Sequence, residues 1–361
     1  MVLTARGAGP AAVAGPAAVW RRLIMLAKVG GLLCLGLAAS PAAAEKSKCQ
    51  LQPVSNLAIT MDRNMPLVDV GINGQQVHML LDTGADTNFI TRPAAERLKL
   101  RHGWEPGLHV EGVGGRVALY SSQIDDMTLG NWLVHRVEMP VLSNHDIGDG
   151  PDVVGVLGER FLSNFDLDID IAHNRLVLFH AEDCEHTALA SYWGVPYDYT
   201  KIERMREDGS PIWLTVLVNG QPVRAILDTG AETSVMTLQT AARVGMTPQT
   251  PGVTHAGKSG GIGNDAVDDY VGLFDSFKLG DEEIRRVHLR FGEMFGNGGW
   301  DVPEMLLGLD FLRAHRVFIS HSQHRLYFAY VGSGPIFQVM GPRLPRADQA
   351  ADTAPAETEG H

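Results

Sequence analysis

Apolar residues gather in short runs that are separated by turn sequences. Two of the turns are Asn-Gly pairs, Asn73-Gly74 and Asn219-Gly220. An Asn-Gly pair between apolar runs is typical of a two-residue β-hairpin. Helical patterns are short and cover only residues 91–100 and 237–244. The pattern therefore predicts an all-β fold, mostly strands with a few short helices.

The same series of motifs occurs twice along the chain. An Asn-Gly turn, an apolar strand ending in Asp-Thr-Gly-Ala, a Gly-rich loop and an apolar-apolar-Gly segment follow one another in both copies. Asp-Thr-Gly-Ala begins at Asp82 and again at Asp228, a shift of 146, and later motifs recur at a shift of 150. Four elements in one order with nearly constant spacing indicate a duplicated domain.

The duplication divides the chain into five segments. We expect a signal peptide (1–44), a first domain (45–187), a linker (188–200), a second domain (201–335) and an acidic tail (336–361). The tail is dominated by Ala, Asp, Glu, Thr and Pro, which cannot bury enough apolar surface to order a chain. We therefore expect the tail to be disordered.

The first 44 residues have the features of an export sequence. They contain no acidic residue, carry four basic ones, and run apolar from Val29 to Ala38 before an Ala-rich end. This is the organisation of a secretory signal peptide, with cleavage expected after Ala44. We expect a periplasmic or secreted protein with no stable membrane span after cleavage. An uncleaved N-terminal membrane anchor is the alternative.

The net charge limits the classes of binding partner, and the cysteine content indicates the cellular compartment. Removal of the four basic residues of the first segment leaves 26 basic against 42 acidic residues, a net charge of −16. Such a charge repels nucleic acid, so no nucleic-acid partner is expected. Removal of Cys34 leaves Cys49 and Cys184, an even pair in a compartment that permits disulfides, and we expect them to be bonded.

A buried apolar strand that runs directly into an aspartate poses a physical problem, because burying a carboxylate is costly unless it is paired. The repeat offers Asp82 and Asp228 as partners for each other. Two neighbouring carboxylates share one proton and titrate as a unit. One can then take a proton from water while the other holds a substrate carbonyl.

Asp-Thr-Gly-Ala after an apolar strand, a Gly-x-Gly-Gly loop, and Leu306-Leu307-Gly308 before a short helix resemble the retropepsin family of aspartic proteases. Segment 308–312, with the following hairpin at 317–328, is similar to cellular, non-viral members. The resemblance implies two tandem closed-barrel domains related by a pseudo-twofold axis. It also implies that Asp82 and Asp228 are the catalytic pair and that the substrate is a peptide or protein.

The resemblance assigns roles to further residues. Thr83 and Thr229 are expected to cross-bond beneath the aspartates, and Gly84 and Gly230 to allow close backbone approach. The expected flap and substrate-binding residues are Val113, Gly114, Gly115, Gly261, Ile262 and Gly263. No His-Glu-x-x-His helix or paired-cysteine spacing accompanies the 14 histidines, so we expect no metal and no cofactor.

The two copies differ at Asp86 against Glu232 and at Glu159 against Leu309, which predicts unequal substrate pockets. The sequence thus predicts an exported aspartic endopeptidase, a monomer whose two halves form a pseudo-dimer within one chain. One alternative is a non-proteolytic periplasmic peptide-binding or regulatory protein on the same fold. Another is pairing of each copy with its twin in a second chain.

Overall fold

The computed structural model describes residues 4–6, 48–103, 109–112, 115–142, 153–203, 210–260, 267–294, 302–332, 334 and 336–337, with the side chains of 4–6, 102, 109–118 and 259 left out. Strands predominate and the helices are short, which confirms the all-β expectation. None of the helices in these ranges combines the length and the apolar character that a membrane crossing requires.

The elements of the first half, together with one strand that precedes it, come first along the chain. They are β1 (Thr4–Arg6), β2 (Gln50–Asp62), β3 (Met65–Ile72), β4 (Gln75–Leu81), β5 (Phe89–Thr91), α1 (Arg92–Arg97), β6 (Arg101–Gly103), β7 (His109–Gly112), β8 (Gly115–Leu129), β9 (Trp132–Leu142), β10 (Val153–Leu157), α2 (Glu159–Leu162), β11 (Asp166–Asp170), a 3₁₀ turn (Ile171–His173) and β12 (Arg175–Glu182).

A connecting segment and the second half follow. Their elements are a 3₁₀ turn (Leu189–Trp193), β13 (Asp198–Lys201), β14 (Ile212–Val218), β15 (Gln221–Leu227), β16 (Val235–Thr237), α3 (Leu238–Arg243), β17 (Thr254–Ser259), β18 (Val267–Leu279), β19 (Glu282–Gly292), β20 (Met305–Leu307), α4 (Leu309–Leu312), β21 (His315–Ser320) and β22 (Arg325–Tyr330).

Each half contains a closed six-stranded barrel. In the first, β3, β4, β10, β5, β9 and β8 are neighbours in that order, and β8 pairs with β3 to close the ring. In the second, β14, β15, β20, β16, β19 and β18 follow the same order, and β18 pairs with β14. Matching connectivity confirms the predicted tandem architecture.

The Asn-Gly turns form as predicted. Asn73 and Gly74 have φ of 48° and 81°, and Asn219 and Gly220 have φ of 49° and 74°. These left-handed values suit the twist of a tight hairpin, and Asn and Gly adopt them at low cost. Both turns lead into the strand that ends just before an Asp-Thr-Gly motif, so local turn chemistry sets the register of each site.

A six-stranded sheet joins the two halves. Its order is β2, β12, β11, β21, β22 and β13, and β11 pairs antiparallel with β21 across the boundary. Asp168 lies opposite Phe318 there, and these two residues also correspond to each other at the repeat shift of 150. The pseudo-twofold axis therefore passes through this pair. Asp168 is buried and accepts hydrogen bonds from Arg316 and Tyr192.

The segments outside the barrels also contact the body of the protein. The predicted linker contains β13, which pairs with β22 at the edge of the joining sheet. Most of the predicted tail lies outside the described residues, but Phe337 is buried and packs on Phe277 with ring centroids 4.8 Å apart. The predicted disulfide is present, with the Cα atoms of Cys49 and Cys184 4.4 Å apart.

Candidate active site

Each candidate aspartate directly follows a buried strand. β4 and β15 end one residue before Asp82 and Asp228. The N–H of Asp82 donates to the carbonyl of Leu157 over 3.0 Å, and the N–H of Asp228 donates to that of Leu307 over 2.9 Å. These bonds extend the parallel pairing of β4 with β10 and of β15 with β20. The two aspartates therefore leave their barrels at equivalent points.

The threonines after the aspartates bond across the boundary. The N–H of Thr83 donates to Oγ1 of Thr229 over 3.0 Å, and the N–H of Thr229 donates to Oγ1 of Thr83 over 3.1 Å. The hydroxyl of Thr83 donates to the Leu227 carbonyl over 2.8 Å, and that of Thr229 to the Leu81 carbonyl over 2.7 Å. The four buried bonds satisfy both hydroxyls and fix the two loops against each other.

The glycines of the two motifs bring the carboxyl groups to the opposite backbone. A Cβ on Gly84 would lie 2.3 Å from Cγ of Asp228, and a Cβ on Gly230 would lie 2.5 Å from Cγ of Asp82. Contacts this short do not occur, so only glycine fits without moving the opposite carboxyl group. Each aspartate thus rests on the backbone of the other half.

Both carboxyl groups are fully buried. The N–H of Gly84 donates to Oδ1 of Asp82 over 2.9 Å, and the N–H of Gly230 donates to Oδ1 of Asp228 over 2.8 Å. Burial raises the pKa of Asp82 well above its usual range, and the charge of Asp228 and a hydrogen bond between the two side chains raise it further. The pair therefore retains one proton at a pH where an isolated aspartate has lost it.

A model of the aspartyl protease family matches residues 68–161 and 214–311, together 192 of the 361 residues. The chain belongs to the aspartyl protease family. Each matched region holds one Asp-Thr-Gly motif, which confirms the predicted resemblance to retropepsin-like proteins. A comparison with curated proteins finds no match. Membership of the aspartyl protease family indicates a protease-like hydrolase that acts on peptides.

Two side chains that sequence reasoning missed connect the aspartate loops to the helices behind them. Oδ1 of Asn88 accepts from the N–H of Gly158 over 2.8 Å, and Oγ of Ser234 accepts from the N–H of Gly308 over 2.9 Å. The repeat shift of 146 aligns Asn88 with Ser234, so a search for polar residues at equivalent positions could have found them. Their different residue types hid the common role.

Asp310 is an acidic residue that bonds directly to the aspartate loop of the second half. Oδ1 of Asp310 accepts from the N–H of Ser234 over 2.8 Å and from its hydroxyl over 2.5 Å. Burial raises the pKa of Asp310 to about 6, although these hydrogen bonds lower it. The residue of the first half at this position is Arg160. The two aspartate loops of this member of the aspartyl protease family therefore have different electrostatic surroundings.

The flap prediction can be located only in part. The hairpins β7–β8 and β17–β18 stand at the predicted positions, and Gly115 begins β8. The remaining predicted flap residues lie outside the described ranges; they are Val113, Gly114, Gly261, Ile262 and Gly263. Strand β1 pairs antiparallel with β7 on the edge that β8 leaves open, and it comes from the segment predicted as signal peptide.

The predicted asymmetry at Glu232 affects a contact between the halves. Nδ2 of Asn64 donates to Oε1 of Glu232 over 2.5 Å, and Oδ1 of Asn64 accepts from Arg313 over 2.8 Å. This contact ties the β2–β3 turn of the first half to the second half. Across the described ranges, His, Cys, Asp and Glu side chains form no group of three or more that could hold a metal ion.

Proposed function

We propose that this protein is an exported aspartic endopeptidase that hydrolyses peptide bonds with a water molecule activated between Asp82 and Asp228. The observation that carries the proposal is the meeting of two buried carboxyl groups, each seated on the glycine of the opposite half. The raised pKa of Asp82 supports a pair that shares one proton. Thr83 and Thr229 would hold this geometry without entering the reaction.

The chemistry follows from the shared proton. The ionised carboxyl group takes a proton from water, whose oxygen attacks the peptide carbonyl, while the protonated carboxyl group donates its proton to the carbonyl oxygen. Return of a proton to the nitrogen then breaks the C–N bond and leaves a carboxylic acid and an amine. The rate should fall as pH rises through the upper pKa of the pair, because the doubly ionised pair has no proton to donate.

An extended peptide would bind along the flap strands. Edge strands bind peptides by main-chain hydrogen bonds, which are largely independent of side-chain identity. The pairing of β1 (Thr4–Arg6) with β7 (His109–Gly112) supports this mode, because it places an extended segment on the open edge of a flap strand. In the proposed mature protein that edge is left to substrate.

Export is supported by the disulfide between Cys49 and Cys184, because such bonds persist in oxidising compartments. The signal peptide over residues 1–44 remains a prediction. We propose a periplasmic or secreted protein whose catalytic site forms within one chain.

The test compares residues 45–361 with Asp82→Asn, Asp228→Asn and the exposed control Asp281→Asn on a diverse peptide mixture, read by mass spectrometry. The wild type and the control should cleave peptides internally, and each active-site variant should lose roughly 10³-fold or more of the activity. Activity retained in either active-site variant would refute the mechanism. Binding of peptides by a folded wild type without any cleavage would favour the non-proteolytic alternative.

A mixture of the two Asn variants tests whether the site forms within one chain. Every intrachain site then carries one neutralised aspartate, so the mixture should stay inactive. If equivalent halves of two chains paired instead, each single variant would keep one intact kind of site, and activity would fall on dilution.

A further inference from the structure

Glu159 connects the first aspartate loop to the second half of the protein. It is the first residue of α2, and its N–H donates to the carbonyl of Ala85 over 2.8 Å. The N–H of Ala85 in turn contacts the carbonyl of Asp82 over 3.3 Å. The Glu159 side chain is fully buried, and Oε1 has no hydrogen-bond partner within the described residues.

The partner of this buried carboxyl group is His321, in the turn between β21 and β22 of the second half. Nε2 of His321 lies 2.9 Å from Oε2 of Glu159, and Nδ1 lies 2.6 Å from the carbonyl of Phe165. A carbonyl only accepts, so Nδ1 carries a proton. The second ring nitrogen and Glu159 then hold one further proton between them. The His321 side chain is only 17% exposed.

Among the described residues, the carboxyl group of Asp166 also faces His321. Asp166 is buried on β11, accepts from Ser320 and Ser322, and adds to the negative charge around His321. Burial lowers the pKa of His321, but Glu159, the Phe165 carbonyl and Asp166 raise it more, so the net pKa is raised. Burial also raises the pKa of Glu159, against the opposing effect of His321. Both groups therefore hold protons more firmly than in the unfolded chain.

The second half has no such pair at the corresponding place. At the repeat shift of 150, Glu159 corresponds to Leu309 and His321 corresponds to Ile171. Leu309 and Ile171 are both buried in the main apolar core. The backbone bond is nevertheless kept, because the N–H of Leu309 donates to the carbonyl of Ala231 over 2.9 Å. In the second half the same backbone bond is therefore combined with apolar side chains at the positions of Glu159 and His321.

We propose that Glu159 and His321 are positioning residues that fix the Asp82 loop against the second half, a role that Leu309 and Ile171 fill by packing alone beside Asp228. The effect on catalysis rests on the proposed function, whereas the effect on docking of the halves does not. A buried ion pair is seldom worth more than apolar packing, but it orients its partners, and losing one partner is costly. This explains how both versions can exist in one chain.

The first test measures thermal unfolding of the mature protein at pH 7. His321→Ile leaves the Glu159 carboxylate buried without its partner, and its Tm should fall by roughly 5–10 °C. The double variant Glu159→Leu/His321→Ile copies the second half and should recover most of that loss. The matched control is His135→Gln, which breaks an exposed pair with Asp126 at 2.5 Å and should change Tm by no more than about 2 °C.

The second test is pH dependence between pH 5 and 9. The folded pKa of His321 lies above its ordinary value of 6.5, so the stability that the pair contributes is present below pH 6.5 and is lost as pH rises through the folded pKa. The raised pKa of Glu159 acts in the same direction. Because Asp82 titrates equally in both proteins, the wild-type Tm minus the double-variant Tm isolates the pair and should decline toward high pH.

The third test separates positioning from folding. At a temperature well below both Tm values, His321→Ile should lower kcat on the order of tenfold with KM changed less than about twofold, and the double variant should restore kcat. If His321→Ile is no less stable than His135→Gln, if the double variant is no better than the single one, or if the Tm difference is independent of pH, the proposal is wrong. A wild type that cleaves no peptide would overturn the proposed function and leave both stability tests valid.

Discussion

Leu119 of the first half and Asp269 of the second occupy equivalent positions on β8 and β18, yet they are buried in different ways. Leu119 packs with Leu80 and Phe89 in an apolar cluster. Asp269 is equally buried, and its carboxylate lies 3.3 Å from Arg290. The threonines beside the aspartates, in contrast, make the same bonds with the same atoms in both directions.

The difference shows where symmetry is required. Thr83 and Thr229 bond to each other, so a change in either one also removes a bond from the other half. Asp269 pairs with Arg290 within one half, so a change at either residue removes no bond from the other half. Equivalence is therefore kept where the two threonines bond to each other, and it is lost at Leu119 and Asp269, whose partners lie within their own half.

The prediction with the largest expected effect tests whether the two aspartate loops are equivalent. Gly84→Ala and Gly230→Ala each drive a methyl group into the opposite carboxyl group, at 2.3 and 2.5 Å from Cγ. Each should reduce kcat/KM by at least about 10²-fold, and the two losses should agree within about tenfold. Steady-state kinetics with a fluorogenic peptide measures both. Gly103→Ala, whose methyl group would meet only ordinary contacts, serves as the control.

The next prediction concerns the disulfide, which joins two residues of the first half. It closes the chain from Cys49 to Cys184, a sequence separation of 135. Replacing both cysteines with serine should lower the free energy of unfolding by roughly 2–5 kcal/mol, with the chain-entropy estimate at the upper end. Urea denaturation measures the loss. Reductant should destabilise the wild type and leave the serine variant unchanged, and two reactive thiols in the non-reduced protein would contradict the bond.

Asp310 tests the asymmetric electrostatics of the second half. Its folded pKa of about 6 lies above the ordinary 3.8, so the folded state holds the proton to higher pH than the unfolded chain does. Its contribution to stability is fully present below pH 3.8 and is lost as pH rises through 6. The loss is at most roughly 3 kcal/mol, and solvent screening makes it smaller because the side chain is partly exposed. Asp310→Asn should remove that loss.

Urea midpoints of the wild type and Asp310→Asn between pH 4 and 8 measure this difference, and the variant should gain relative to the wild type toward pH 8. Arg160→Asn, at the equivalent position of the first half, is the control. A constant difference across the pH range would mean that Asp310 is ionised throughout.

The prediction with the smallest effect concerns the side chain of the turn asparagine, which accepts backbone hydrogen bonds in both halves. Oδ1 of Asn73 accepts from the N–H groups of Asp125 and Asp126, both over 3.0 Å. Asn219 accepts in the same way from Asp275 and Ser276, over 2.8 and 3.3 Å. Asn73→Ala and Asn219→Ala should each cost about 1–2 kcal/mol, measured by urea unfolding.

Asn131→Ala is the control for the two turn variants, because the bond from Asn131 to Ser55 runs from its backbone N–H. It should change the free energy of unfolding by less than about 0.5 kcal/mol. Nδ2 of Asn219 also donates to the carbonyl of Val244 over 3.0 Å, so the loss at Asn219 should be the larger of the two, and a clearly larger loss at Asn73 would contradict the prediction.

Local chemistry explains what the sequence could predict. The Asn-Gly turns, the strands before Asp82 and Asp228 and the short helices depend on neighbouring residues, and all of them form as predicted. Helix α1 begins at Arg92 with Thr91 as its N-cap, inside the predicted range of 91–100. The internal repeat then predicted that the two aspartates are partners, because the same motif occurs once in each half.

Long-range register explains what could not be predicted. Strand β13 has only four residues, Asp198–Lys201, and its pairing with β22 depends on the sheet that both halves build together. The contact of Glu159 with His321 spans 162 positions, and the duplicated partners, Leu309 and Ile171, are apolar. Neither residue carries a local pattern that points to the other.

The axial pair Asp168 and Phe318 has a consequence for the assembly of the two halves. If two copies of the first half assembled, Asp168 would lie opposite another Asp168, and Asp166 would stand where Arg316 now neutralises it. Like charges directly opposite in a sheet are destabilising, and an isologous interface repeats the conflict on both sides. With two different halves in one chain, an axial residue need not be compatible with a copy of itself. The joining edge of the first half therefore suits the second half and disfavours a copy of itself, so a homodimer of first halves should be less stable than the pairing within this chain.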